Sequence, residues 1–361
     1  MPDEVVLFVN GRRYEGWKTI RITRSIETIA SSFDLGVSDK WKDQPFPWPI
    51  REEDVCRVEL AGAPFVDGYV DRRSHALDPE SLSLSYGGKD RTAALVECSC
   101  ILDRWGFKNI NLFDLAKKLC EPFRIKVTMQ DGVVLPRPAP AKTVVNPGDT
   151  PFEVLQRVAG AAGCLITSDG GGGILICQAG LSKVDTSLAW GVNVKSARID
   201  YDATTRFARY IVASQTPGSD TAHGAATRVK AEATDEMVQR TERTLLILPS
   251  GNLSAADARR RADWEARIRA ARAETLSVTV AGWTQPSGAI WPVNQRIPVH
   301  VSPIGVDGEM LIAGIEHSAG SKAGPVTTFQ LVRPDAFTPE PAIVKRVKTT
   351  RGWKELWNGG L

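Results

Sequence analysis

The chain has 361 residues, 42% hydrophobic and 24% charged, an ordinary globular composition with room for about two to four domains, which excludes a disordered or collagen-like chain. Its 45 Lys and Arg against 42 Asp and Glu leave a net charge of +3, too small to announce nucleic-acid binding. No run reaches the roughly 18 apolar residues of a membrane span, and the acidic start Pro2-Asp3-Glu4 is unlike a signal peptide, so the expectation is a soluble, non-exported chain.

The first hundred residues predict strands. Val5 to Val9 runs into Asn10-Gly11, a hairpin dipeptide, and returns through Tyr14 to Trp17. Ile20, Ile22 and Ile26 then alternate with Arg21, Thr23 and Ser25, the period of a half-buried strand. Further strands fit Val55 to Leu60, Phe65 to Asp71, Leu82 to Tyr86 and Ala93 to Cys98, with Pro45-Phe46-Pro47-Trp48-Pro49 as an extended loop. Short strands at this spacing favour a barrel or a sandwich.

From about residue 101 the period becomes helical. Asn111 can cap a helix carrying Leu112, Leu115, Ala116 and Leu119 that ends at Pro122, followed by a strand near Arg124 to Met129 and a proline-rich linker with Pro136, Pro138, Pro140 and Pro147. Thr150-Pro151-Phe152-Glu153 is a capping box opening a helix that Gly163 closes, and Cys164 to Ile166 and Ile174 to Cys177 flank a Ser-Asp-Gly-Gly-Gly-Gly turn. Strands return at Val192 to Tyr201, Phe207 to Ala213, Thr227 to Glu232 and Arg243 to Leu248. A helix from about Ser254 to Ala273 carries Ala258, Ala262, Ala266 and Ala270, a small-residue stripe suited to close packing. Leu276 to Val280, Ile297 to Val301, Met310 to His317 and Thr328 to Val332 complete the β pattern. The fold class is α+β, mainly β: a β region over 1–100, a small α/β domain over 101–182, a second β region over 183–335 with the helix 254–273, and a tail over 336–361.

Catalytic and ligand-binding signatures are missing. Gly170 to Gly173 joins two strands and lacks the Lys-Ser/Thr of a P-loop, so it reads as a flexible hairpin tip; Gly87-Gly88-Lys89-Asp90 has Asp where the magnesium-binding hydroxyl belongs. There is no GxSxG and no HExxH. Of the four histidines, His300 falls on a polar strand face, His317 on an apolar one, and His75 and His223 in expected loops. The six cysteines (56, 98, 100, 120, 164 and 177) are scattered and read as small buried hydrophobes, with no second pair to make a metal site of Cys98 and Cys100. No catalytic, cofactor-binding or metal residue is assigned. The helix arginines 259, 260, 261, 267, 269 and 272 are mixed with acids, the pattern of a solvated face. The tail stands apart: Lys345, Arg346, Lys348, Arg351 and Lys354 oppose only Glu355 over 342–361, and Trp353 and Trp357 share a helical face, which marks these seven residues as a candidate docking segment.

Several stretches together resemble one family, the Mu-like baseplate hub proteins of contractile-tailed phages. These are Asn10-Gly11, Gly16-Trp17, Thr23-Arg24-Ser25-Ile26-Glu27, Gly68-Tyr69-Val70-Asp71, Gly88 to Cys98, Ala162 to Ser168, the alanine-arginine helix, Gly282-Trp283-Thr284 and Ile290 to Asn294, in order over about residues 5 to 337. The resemblance implies a non-enzymatic virion structural protein, assembled in the host cytoplasm, with no cofactor. It implies that the two β regions are tube-like barrels, so that a homotrimer presents six barrel units to the six-fold tail tube and seats the three-fold central spike. Other baseplate and tail components are further partners, and DNA passes transiently, without sequence preference, along the axis. An internal repeat would support this plan; the sequence offers only the echo Val66-Asp67-Gly68 and Val306-Asp307-Gly308. The competing classes are a tail-associated cell-wall hydrolase, for which catalytic residues are lacking, and a sequence-independent nucleic-acid binder using the arginine helix and tail.

Overall fold

The computed structural model describes residues 4–39, 48–77, 79, 82–135, 143–215, 228–249, 253–320 and 323–341. They fall into two compact units, one of residues up to 206 together with 266–340, the other of 207–265. The architecture is mostly β, with several sheets and four α-helices among the described residues.

In the first unit, Val5–Val9 reverses into Arg12–Tyr14 through Asn10 and Gly11, both at positive φ (49° and 78°), the conformation a two-residue hairpin demands. Thr19–Ser25, Val55–Leu60, Ala63–Leu77 and Leu82–Asp90 follow. Ser32–Asp39 is a further strand, whose alternation of Phe33 and Leu35 with Asp34 the sequence reading passed over. His75 lies in Ala63–Leu77 and not in a loop. Trp48 packs edge-on against Trp17, ring centroids 5.1 Å apart, while Pro45, Phe46 and Pro47 lie outside the described residues.

Ala93 to Cys98, expected as a strand, is helical. The Asp90 carboxylate caps a 3-10 turn, Arg91–Ala93, by accepting from the Thr92 amide, and the chain continues into α1, Ala94–Glu97. Capping by a short acidic side chain, followed by Ala, Leu and Glu, outweighs the apolar alternation that suggested a strand. The α/β module then carries α2, Leu112–Cys120, capped by Asn111, and α3, Pro151–Ala162, whose Thr150 and Glu153 form a reciprocal capping box and whose end is closed by Gly163 at φ 72°. Its sheet pairs Leu165–Ser168 with Ile174–Cys177, which runs parallel to Val127–Met129. The module's core takes in Leu95 and Cys100, so it begins before residue 101. Five cysteines are buried and Cys98 is exposed.

One antiparallel ladder runs in the order Val194–Tyr201, Glu274–Ala281, Ala323–Val332, Val306–Gly320, Thr19–Ser25, Ser32–Asp39, Leu82–Asp90, Ala63–Leu77, Val55–Leu60, Val5–Val9 and Arg12–Tyr14, with Gln295–Val301 on the first half of Val306–Gly320. It holds one motif twice. The spatial order Thr19–Ser25, Ser32–Asp39, Leu82–Asp90, Ala63–Leu77, Val55–Leu60 is repeated, with the same connectivity, by Val194–Tyr201, Glu274–Ala281, Ala323–Val332, Val306–Gly320 and Gln295–Val301. Each long strand carries a bulge in its hairpin, between Val70 and Arg72 in one copy and between Ile312 and Gly314 in the other. Aligned on the bulges, the ladders agree in register: Ile22 matches Ile199, Phe33 matches Leu276, Tyr86 matches Phe329 and His75 matches His317. The echo of Val-Asp-Gly is not this repeat, because Val66 stands opposite Val58 whereas Val306 stands opposite Val301, two positions beyond its equivalent Val299. Among the described residues the ladder stays open from Val194–Tyr201 to Arg12–Tyr14. Both copies feed one core in which Leu7, Ile22, Phe33, Val58, Val278 and Phe329 are fully buried.

In the second unit Arg209–Gln215 lies between Arg228–Thr234, antiparallel, and Thr244–Ile247, parallel. These strands, assigned by sequence to the second β region, form a sheet of their own, since alternation identifies a strand but not its partner. The helix α4, Ala255–Arg272, begins in this unit. Ala258 and Ala262 of its stripe are buried, but Ala266 and Ala270 are only half-buried.

Candidate functional site

The described residues contain no group of three or more His, Cys, Asp and Glu side chains able to hold a metal ion, and no helix among them is long and apolar enough to cross a membrane. The chemistry of the fold is concentrated instead at the seam where the two sheet copies join. Thr19–Ser25 pairs antiparallel with the second half of Val306–Gly320: Ser25 opposite Gly314, Ile22 opposite His317, Ile20 opposite Ala319. On the outer face Arg21 bridges Glu316 at 2.9 Å.

On the inner face the seam is polar and closed. His317 is fully buried, its ring meeting Phe65 edge-on at 5.3 Å. The Thr327 hydroxyl donates to the Gly282 carbonyl (2.7 Å), so its oxygen accepts from His317 Nδ1 (2.9 Å). The proton is therefore on Nδ1, and the buried Nε2 has no partner among the described residues. Burial, helped by the nearby Arg24 cation, pushes the His317 pKa down to about 3. The Arg24 guanidinium lies 3.9 Å over the Phe65 ring, donates from Nη2 to the Phe65 carbonyl at 2.5 Å and from Nε to Ser31 Oγ at 3.2 Å. Burial lowers its pKa to about 10, against the pull of Asp90 and Asp169.

Asp90 links three parts of the chain. Its buried carboxylate accepts from the Ser31 amide (2.9 Å) in the first sheet copy, from the Thr92 amide (3.0 Å) and hydroxyl at the entrance to the α/β module, and from Ser168 Oγ (2.7 Å) in that module's hairpin. The glycine turn after Ser168 is accordingly no loose tip. Asp169 Oδ1 accepts from the amides of Gly171 and Gly173, both at 2.8 Å, and Gly170 stands at φ +82° where a Cβ would lie 2.3 Å from Arg24 Nη2. Gly170 lets the turn press against the half-buried Arg24, and Gly172 lets it approach Asp67 and Arg91, reasons for glycine that have nothing to do with phosphate.

Other sequence candidates are placed apart from this seam. His300 is exposed and paired with Asp307 at 2.8 Å. On α4, Arg259 bridges Asp263 (3.1 Å) and donates to the Glu232 carbonyl (2.7 Å), and Arg261 bridges Glu265 (2.9 Å), so those arginines have partners within the protein. Lys345, Arg346, Lys348, Arg351, Trp353, Lys354 and Trp357, with His223, lie outside the described residues. Sequence reasoning missed Arg24 and Asp90. The alternation that puts Ile20 and Ile22 on the core face puts Arg24 there too, and Asp90-Arg91-Thr92 has the spacing of a side-chain cap.

Comparison with known proteins agrees with this architecture. Three family models match: Mu phage baseplate assembly protein GpP-like, N-terminal, over residues 4–90; baseplate hub protein gp44-like, second domain, over 92–178; and Mu phage baseplate assembly protein GpP, fourth domain, over 254–340. The baseplate hub protein gp44 of Escherichia phage Mu is 28% identical over 344 residues, 93% of this chain and 89% of that protein. The crystal structure of the 43 kDa tail protein of prophage MuSo2 from Shewanella oneidensis matches with a TM-score of 0.83 and 34% identity, covering 94% of this chain and all of that one. A tail protein from Neisseria meningitidis MC58 shares the fold, with a TM-score of 0.78 at 22% identity, over 94% of this chain and 99% of its own. The fold is thus that of a phage tail protein of the baseplate, a virion structural component. The chain belongs to the Mu-like baseplate hub family.

Two measurements test the seam. Gly170→Ala, strained in φ and blocked by Arg24, is expected to lower the unfolding free energy by about 2 kcal/mol in urea titrations, while Gly171→Ala, whose Cβ would meet nothing nearer than 3.6 Å, stays near neutral. His317 is neutral in the folded chain down to pH about 3 but binds a proton in the unfolded chain below about 6.5. Its contribution is therefore intact above pH 6.5 and is lost at about 1.4 kcal/mol per pH unit on acidification towards pH 3. Urea midpoints at pH 7.5 and 5 are expected to differ less in His317→Gln than in the parent.

Proposed function

We propose that this chain is the homotrimeric hub of a contractile-tail baseplate, each copy lending two sheet repeats to a ring of six that adapts the six-fold tail tube to the three-fold central spike. The observation that carries this reading is the duplicated motif. Two copies with the same strand order, register and bulge, joined edge to edge within one chain, are what a trimer needs to present six near-equivalent surfaces. Closure of the repeats into tube-like barrels, with DNA passing along the axis without base recognition, belongs to the same reading. So does a non-enzymatic role, which the structural nature of its relatives supports. The segment 342–361, with its five cations and its pair of tryptophans, is the part of the chain that docks on another tail component.

Light scattering coupled to size exclusion, over a concentration series, is expected to give three times the chain mass. A chain that stays monomeric, also after mixing with the spike protein, would refute the ring. Truncation after residue 341 is expected to leave the trimer intact and to lower the recovery of spike or tube protein with it at least tenfold in pull-downs. Undiminished recovery would remove the docking role.

A further inference from the structure

The repeat shows where a second seam belongs. In the internal seam, residues 314–319 of the second copy's long strand lie beside Thr19–Ser25 of the first copy. The equivalents are residues 72–77 of Ala63–Leu77 in the first copy and 196–201 of Val194–Tyr201 in the second. Both are half-seams. Residues 71–77 pair on one side only, with Leu82–Asp90, and are exposed throughout; residues 196–201 pair only with Glu274–Ala281 among the described residues, the one other bridge of their strand being Val194 with Trp190. Their exposure differs from the closed seam in the expected sense: Ile22 and His317 are fully buried, whereas Ile199 is half-buried and His75 exposed.

We propose that these half-seams meet between copies of this chain, residues 72–77 of one pairing antiparallel with 197–202 of the next in the register of the internal seam. That register sets Arg72 opposite Asp202, His75 opposite Ile199 and Leu77 opposite Ala197. The inference rests on the trimeric reading above and adds which strands carry it. Three observations beyond the repeat select a second copy as occupant. Leu77 and Tyr201 are 77% and 71% exposed, and the pairing covers both on one face. Charge is complementary, since Arg72 falls opposite Asp202 with Asp200 on its diagonal, and Arg73 faces the Tyr201 ring as a cation faces an aromatic face. The present partners of the arginines, Asp34 at 2.7 Å and Glu52 at 2.9 Å, are exposed surface pairs that cost little to rearrange. Because the two half-seams are different surfaces, the contact is head-to-tail and is satisfied everywhere only in a closed ring.

The test uses full-length chains with Cys98, the exposed native thiol, changed to Ser. One chain carries Ala76→Cys, another Arg198→Cys, positions directly opposite in the proposed register. Mild oxidation of the mixture is expected to give disulfide-linked dimers, with neither chain alone doing so and with Ala76→Cys plus Lys195→Cys giving at least tenfold less. Leu77→Glu, at a side chain already in solvent, is expected to shift the native mass from trimer to monomer while circular dichroism stays unchanged. A trimer that persists in Leu77→Glu and yields no 76–198 disulfide would overturn this seam and leave the trimeric reading standing. A parent chain that is monomeric under all conditions would overturn both.

Discussion

A carboxylate taken out of water must be surrounded by donors, and Asp90 meets that demand with groups from three parts of the chain. The first sheet copy supplies the Ser31 amide, the start of the α/β module supplies Thr92, and the far hairpin of that module supplies Ser168. None of these donors can be withdrawn without leaving a buried charge short of a partner. Asp90 thus ties the first sheet copy to the α/β module, beside the Thr92 hydroxyl on the Ile29 carbonyl and the Arg91–Asp67 ion pair, and Arg24, half-buried two strands away and drawn by the same carboxylate, extends that constraint to the seam with the second copy. In a virion structural protein, a polar node of this kind fixes orientation as well as contact, because hydrogen bonds have direction and apolar contact does not.

The seam and the node solve different problems. Backbone pairing between Thr19–Ser25 and the second half of Val306–Gly320 removes an exposed sheet edge inside the chain. The node ties the third element, the α/β module, to the first sheet copy. Strand length makes the first arrangement possible: at 15 residues, Val306–Gly320 is long enough to pair with Gln295–Val301 through its first half and with Thr19–Ser25 through its second.

Much of this was legible in the sequence. Asn10-Gly11, the Asn111 cap, the capping box at Thr150 and the alternation at Leu276, Val278 and Val280 all led to elements found in place, because local chemistry determines them. The internal repeat was not legible. Equivalent positions hold Phe33 and Leu276, Tyr86 and Phe329, or Thr23 and Asp200, which share a place in the ladder but little chemistry; what the copies have in common is register, and register is written in pairing, not in composition. The node was hidden for a related reason. Local spacing puts Arg24 on the core face and makes Asp90 a cap, but the partners that join them into one node, Phe65, Ser31 and Ser168, come from elsewhere in the chain.

The two bulges carry a further consequence. An extra residue in one strand of a pair bends the sheet and raises its local twist, and here it is inserted at Asp71 and at Ala313, matching levels of the two meanders. Each copy therefore turns by the same mechanism at the same height, and the step from one to the next is written into the chain before any neighbour arrives. Any assembly built from such units starts from a curvature already set within the subunit itself.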